Sequence, residues 1–97
     1  MYLARFCYDV APANRQRALD CIRQEAEAAR KRGLTARVLV PLTRAHGGAA
    51  LQFEIELTSL DQLDSFRQES VQGGNDWIRE FSHILISPPV VEILRVD

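Results

Sequence analysis

The stretch LQFEIEL, residues 51 to 57, leaves this chain few folds to choose from, because it alternates without a fault. Leu51, Phe53, Ile55 and Leu57 fall on one side, and Gln52, Glu54 and Glu56 on the other. Successive side chains of an extended strand project to opposite faces, so one side must be packed and the other left in mixed or polar company. A strand of this kind belongs in an antiparallel sheet covered on one face.

Its neighbours extend that reading. Residues 34 to 43 alternate as well, Leu34, Ala36, Val38, Val40 and Leu42 against Thr35, Arg37, Leu39 and Pro41. Pro41 cannot donate to a ladder, which makes this an edge strand. The turn residues RAHGGAA between the two segments predict a hairpin, in which Arg37 pairs with Glu56 and Arg5, from the first strand, with a carboxylate of the third. That first strand sets Tyr2, Ala4, Phe6 and Tyr8 inward, against Leu3, Arg5, Cys7 and Asp9.

Between the first two strands the period changes to that of a helix. Pro12 suits the first turn, Ala18, Leu19, Ile22, Ala26 and Ala29 form an apolar stripe, and RKRG closes the helix with three cations at its negative end. After the third strand, SLDQ reads as a capping box, with Ser59 as cap and Gln62 reaching back. Leu60, Leu63 and Phe66 give the second helix its stripe, and Gly73 and Gly74 interrupt it. Asn75 or Asp76 caps a second piece carrying Trp77, Phe81 and Ile84 or Leu85, which SPP at 87 to 89 ends before a last strand, Val90 to Val96. The order strand, helix, strand, strand, helix, strand predicts one α+β domain over residues 1–97: a ferredoxin-like βαββαβ fold, a four-stranded antiparallel sheet with both helices on one face.

Composition narrows the function classes. With 97 residues and 46% hydrophobic content the core is modest. A formal net charge of -1 gives no electrostatic reason to expect nucleic acid or an anionic membrane as partner. The same element order occurs in RNA-binding sheets, but there the third strand carries stacking aromatics and basic residues where this one has carboxylates. Arg5 and Asp9 interrupt any apolar leader at the N-terminus, and no apolar run approaches the roughly 20 residues that span a bilayer, so a soluble, cytoplasmic protein is expected. Cys7 and Cys21 suit reduced structural thiols. Together with His46 and His83 they show no metal-ligand spacing, so no metal is expected.

The element order, the long first helix ending in RKRG, the broken second helix SLDQLDSFRQESVQGGNDWIREFSHIL and the closing strand VVEILRV after a proline turn resemble the dimeric α/β-barrel superfamily, with its antibiotic-biosynthesis monooxygenase-like and stress-responsive barrel proteins. The resemblance spans nearly the whole chain. It implies a homodimer in which the two sheets pack face to face, helices outside, around a cavity or a filled core. It also implies the activities of such barrels: oxygenation without a bound cofactor, haem degradation or isomerisation. Haem-degrading members use an Asn, a Trp and a His; this chain has no Asn on its first strand and a shorter Trp-to-His spacing, so no cofactor is expected.

Two function classes follow. One is a cofactor-independent, monooxygenase-like enzyme, in which a small aromatic or quinol-type molecule enters the cavity, loses a proton to a polar group and reacts with dioxygen. The other is a non-catalytic barrel that binds a small ligand or serves as an interaction module, its interior filled and its charges paired. Glu54 and His83 are the candidate bases, with Arg5, Arg37, Glu56 and Trp77 as substrate contacts. Each has a plainer reading. Glu54 and Glu56 share a face with Arg5 and Arg37 and suit structural ion pairs, and His46 sits in turn chemistry. Trp77 and His83, six residues apart, point roughly 240° apart at about 100° per residue, which makes Trp77 a core anchor and His83 a surface residue. The glycine break before Trp77 is where an entrance to the cavity would form.

Overall fold

The computed structural model describes residues 1–43, 50–65 and 81–97. Strand β1 spans Tyr2–Tyr8, helix α1 Arg15–Lys31, β2 Thr35–Leu39, β3 Leu51–Leu57 and β4 Val90–Arg95. The strands form one antiparallel sheet in the order β2-β3-β1-β4, the order of a ferredoxin-like fold. Residues 61–65 and 81–84 are helical. Trp77 and the residues before it, including the Gly73-Gly74 break and Phe66, lie outside the described residues, as does His46.

Helix α1 begins one turn later than Pro12, which instead opens a short 3-10 turn, Pro12–Asn14. Its end follows the sequence closely. Gly33 has φ +84°, and two hydrogen bonds close the last turn, Gly33 N–H to the Arg30 carbonyl at 2.9 Å and Leu34 N–H to the Ala29 carbonyl at 3.1 Å. This is the Schellman arrangement, and it needs a left-handed residue where only glycine sits without strain. The chain is thereby turned straight into β2.

Packing follows the alternation. Leu51, Phe53, Ile55 and Leu57 are fully buried, and they meet Ala4, Phe6 and Tyr8 of β1 and Ala18, Ile22, Ala26 and Ala29 of α1. The rings of Phe6 and Phe53 lie 5.6 Å apart, a tilted contact. From the far side Leu63, Phe81 and Ile84 complete the core. After residue 84 the chain leaves the helix, and Leu85 bridges Val10 before the proline turn leads into β4. Strand β2 lies at the sheet edge, with Pro41 just beyond it.

Two local expectations change. Arg37 faces Glu54 and not Glu56, because the hairpin register aligns Thr35 with Glu56 and Arg37 with Glu54. Gln62 does reach back, but its Oε1 accepts the N–H of Thr58, at 2.8 Å, rather than that of Ser59, because the helical residues begin at 61.

Candidate functional site

Registered pairs share a face of the sheet, so the pairing assigns the side opposite α1 without ambiguity. It carries Thr35, Arg37 and Leu39 from β2, Glu56, Glu54 and Gln52 from β3, Leu3, Arg5 and Cys7 from β1, and Leu94, Glu92 and Val90 from β4. Across its middle runs a single row of alternating charge, Arg37, Glu54, Arg5 and Glu92, one residue from each strand. Leu39 of β2, Leu3 of β1, and Leu94 and Val90 of β4 flank the row with apolar side chains.

Glu54 is the centre of that row. Its Oε1 accepts Arg5 Nε at 2.8 Å and lies 2.7 Å from Arg5 Nη2, while its Oε2 stands in the same relation to Arg37. Each arginine therefore converges two nitrogens on a single oxygen of Glu54, so that charge-assisted contacts occupy both carboxylate oxygens. Beneath them Glu54 is only 2% exposed, although no other described element covers this face. Burial opposes its ionisation, but the hydrogen bonds and charges of Arg37 and Arg5 outweigh that, and the carboxyl is held below its ordinary range. Glu92 lies 3.8 Å from Arg5 Nη1 at the β4 edge. Cys7, two residues along β1 on the same face, has its thiol pushed up by burial and then by the charge of Glu92, so it is present as the unreactive thiol.

The structure thus brings together Arg5, Arg37 and Glu54, with Glu56 beside them on β3. His83 is exposed and follows the buried Phe81 on the helical residues 81–84, away from that row. Trp77 is outside the described residues. Cys7 and Cys21 are thiols on opposite sides of the sheet, Cys7 on the open face and Cys21 buried under α1. Among the described residues no three His, Cys, Asp or Glu side chains gather as a metal site would require, and no helix is long and apolar enough to cross a membrane.

One carboxylate escaped the sequence reading. Glu25 lies on the inward stripe of α1, three residues after Ile22 and four before Ala29, and is partly buried. The phenol of Tyr8, only 3% exposed, donates a hydrogen bond of 3.4 Å to Glu25 Oε2. Burial raises the Glu25 carboxyl to about 7, with the Tyr8 hydrogen bond pulling the other way. Tyr8 is itself raised, by burial first and then by the charge of Glu25, so it remains a protonated donor. The available signal was an acidic residue interrupting an apolar stripe.

No protein-family model matches the chain, and no curated protein does. Solved structures do match. An antibiotic biosynthesis monooxygenase aligns over 100% of this chain and 99% of its own with a TM-score of 0.75 at 13% identity. A NIPSNAP family protein from Agrobacterium tumefaciens aligns over 97% and 90% with a TM-score of 0.70 at 20% identity. A putative antibiotic biosynthesis monooxygenase from Bordetella bronchiseptica aligns over 99% and 97% with a TM-score of 0.68 at 15% identity. The chain therefore has the ferredoxin-like architecture of antibiotic biosynthesis monooxygenase-like and NIPSNAP proteins.

Proposed function

We propose that this chain is the subunit of a cytoplasmic homodimeric α/β barrel that admits a small aromatic or quinol-type molecule and oxygenates it with dioxygen, using no bound cofactor. In such a reaction one oxygen atom replaces two hydrogens of the substrate as a carbonyl, and the other leaves as water. The reaction class rests on the architecture shared with antibiotic biosynthesis monooxygenase-like structures over the full length of both chains. Two thiols on opposite sides of the sheet fit a reducing compartment.

The observation that carries the dimer is the charge row. Its order is positive, negative, positive, negative, which is self-complementary when turned end for end. If two sheets stack by their open faces about a two-fold axis running along the strands between β3 and β1, Arg37 lies over the partner's Glu92 and Glu54 over the partner's Arg5. The exposed Val90 and the partly buried Leu3, Leu39 and Leu94 flank the row with apolar surface that the second sheet covers. In this reading Glu54 fixes the two arginines, and Arg5, Arg37 and Glu56 line whatever space is enclosed. His83 stands outside the row.

A non-catalytic ligand-binding or interaction module has one observation in its favour. Both oxygens of Glu54 are taken by arginines, so that carboxylate is a poor base. The test has two parts. Sedimentation should give a dimer that Arg37→Glu weakens and that Arg37→Glu with Glu92→Arg restores; a monomer refutes the barrel. Oxygen consumption with a panel of quinols and hydroxynaphthalenes should then find turnover, and none with any of them favours the binding module.

A further inference from the structure

We propose that the segment leaving β2, Val40 to Leu42, is an arm that seats Leu42 in a groove before β4 of a second copy of this chain, which returns the contact with its own arm. This deepens the homodimer reading, on which it rests, by naming the segments that clasp the two copies.

The arm is the overrun of a strand. Apolar alternation continues from Leu34 through Val40 to Leu42, but β2 ends at Leu39, so the last two side chains of that pattern fall beyond the sheet. Val40 is 42% exposed and Leu42 95%, the highest value of any large apolar side chain among the described residues. An exposed leucine by itself says little. This one is carried on a restrained base: Pro41 fixes its own φ, and its carbonyl accepts Arg15 Nη2, from the start of α1, at 3.4 Å.

The groove lies where the chain enters β4. Ser82, Leu85, Ile86, Ser87, Pro88 and Pro89 line a space of about 370 Å³. Its wall is fixed from behind, since Ile86 donates its N–H to the Asp9 carbonyl at 2.9 Å, Leu85 bridges Val10, and the two prolines restrict the backbone that follows. Ile86 is 63% exposed and Val90, the residue after the prolines, 62%. A preformed apolar groove of this kind takes an apolar side chain at little ordering cost. The chain's own arm is on the wrong side to supply it, because β2 and β4 are the two outer strands of the sheet, roughly 14 Å apart at about 4.8 Å per strand.

The charge row brings a second copy's arm to that place. A two-fold axis along the strands leaves positions level, so when Arg37 lies over the partner's Glu92, Leu39 lies over the partner's Val90. From there the directions matter. Strand β2 is antiparallel to β3, β3 to β1 and β1 to β4, so β2 runs antiparallel to β4 both within a chain and across this axis. The chain leaving β2 therefore runs beside the chain entering the partner's β4, and Val40, Pro41 and Leu42 come level with the partner's Pro89, Pro88 and Ser87. Symmetry repeats the contact at the other edge.

The test uses the full chain. Sedimentation equilibrium should show Leu42→Ser raising the dimer dissociation constant about 100-fold, because an unburied leucine costs about ten-fold or more and each dimer loses two. Leu42 is outside the core, so the circular dichroism of that variant should match wild type. For the address of the arm, chains with Leu42→Cys are mixed with differently tagged chains with Ser87→Cys, both also carrying Cys7→Ser and Cys21→Ala, and treated with a short bismaleimide. Mixed crosslinked pairs are expected. A dimer that Leu42→Ser leaves as tight as wild type overturns the arm, and if Arg37→Glu still weakens it, the barrel stands and the groove belongs to another occupant. A dimer weakened by Leu42→Ser but giving no mixed crosslink overturns the groove as the seat. A chain that stays monomeric overturns both readings together.

Discussion

Replacing Glu54 by Gln should cost more than removing either arginine it holds. Glutamine keeps the shape, but its amide has one oxygen and one NH₂, so it can still accept from one arginine while presenting donors to the other. Breaking a buried ion pair on one side costs about 3–5 kcal/mol, since the remaining charge is left desolvated. Here the arginines recover part of that, because Arg37 is 60% exposed and rehydrates easily, whereas Arg5 is 31% exposed and does so less. Roughly 2–3 kcal/mol is therefore expected for Glu54→Gln, about 2 for Arg5→Ala and about 1 for Arg37→Ala. For a domain of this size that is a fall in Tm of roughly 10 °C or more for Glu54→Gln. Urea unfolding followed by circular dichroism, at one fixed protein concentration, measures all three. The double variant decides the mechanism: with Glu54 already neutral, Arg37→Ala should cost nothing or stabilise, because two guanidiniums no longer share a counter-ion. Strictly additive losses, with coupling under about 0.5 kcal/mol, would falsify the account of Glu54 as the shared anion. The pH dependence supplies a second check. The Glu54 carboxyl is lowered in the fold, so its contribution is present above its ordinary value near 4.5 and is lost as pH falls below it. The gap between wild type and Glu54→Gln should close in acid.

Three further outcomes come from other parts of the fold. Glu25 is raised from an ordinary 4.5 to about 7, so the folded protein holds a proton that the unfolded chain releases, and stability should fall as pH rises from about 4.5 to 7 and then level. At about 1.4 kcal/mol per ten-fold change in proton affinity the loss approaches roughly 3 kcal/mol, and Glu25→Gln should abolish the slope in a pH series of urea midpoints. Gly33→Ala should cost about 1–2 kcal/mol, from the left-handed backbone alone, since nothing lies within 4 Å of an added Cβ; a larger loss would point to a packing role. Ile55→Ala, at a fully buried position between β1 and β2, should cost about 2–5 kcal/mol in the same assay.

The fold was legible because burial on one side of a sheet writes itself into every second residue. Leu51 to Leu57 and Tyr2 to Tyr8 name their own faces, and Gly33 after RKR marks the end of α1. The site was less legible, for two physical reasons. Alternation places Glu54 and Glu56 on one face but says nothing of which one Arg37 meets; that depends on the register of the hairpin, which its turn and its packed face set together. Glu25 was hidden by the strength of the pattern around it. A stripe read through Ala18, Ile22, Ala26 and Ala29 is convincing without position 25, and the value of a carboxylate there emerges only when Tyr8, seventeen residues earlier in the chain, is brought against it.

The row of charges has a consequence for how the sheet is assembled. Apolar alternation forbids a strand from slipping by one place, since that would bury Arg5 and expose Phe6, but it is blind to a slip of two. Position 54 closes that loophole. Were β1 displaced by two against β3, Arg5 would meet Gln52 or Glu56, and Glu54 would face Leu3 or Cys7 with half of its neutralising charge gone. Only one alignment of three strands satisfies both arginines at once. Glu54 thus acts like the notch of a key, rejecting the near-miss pairings that hydrophobic collapse alone would tolerate.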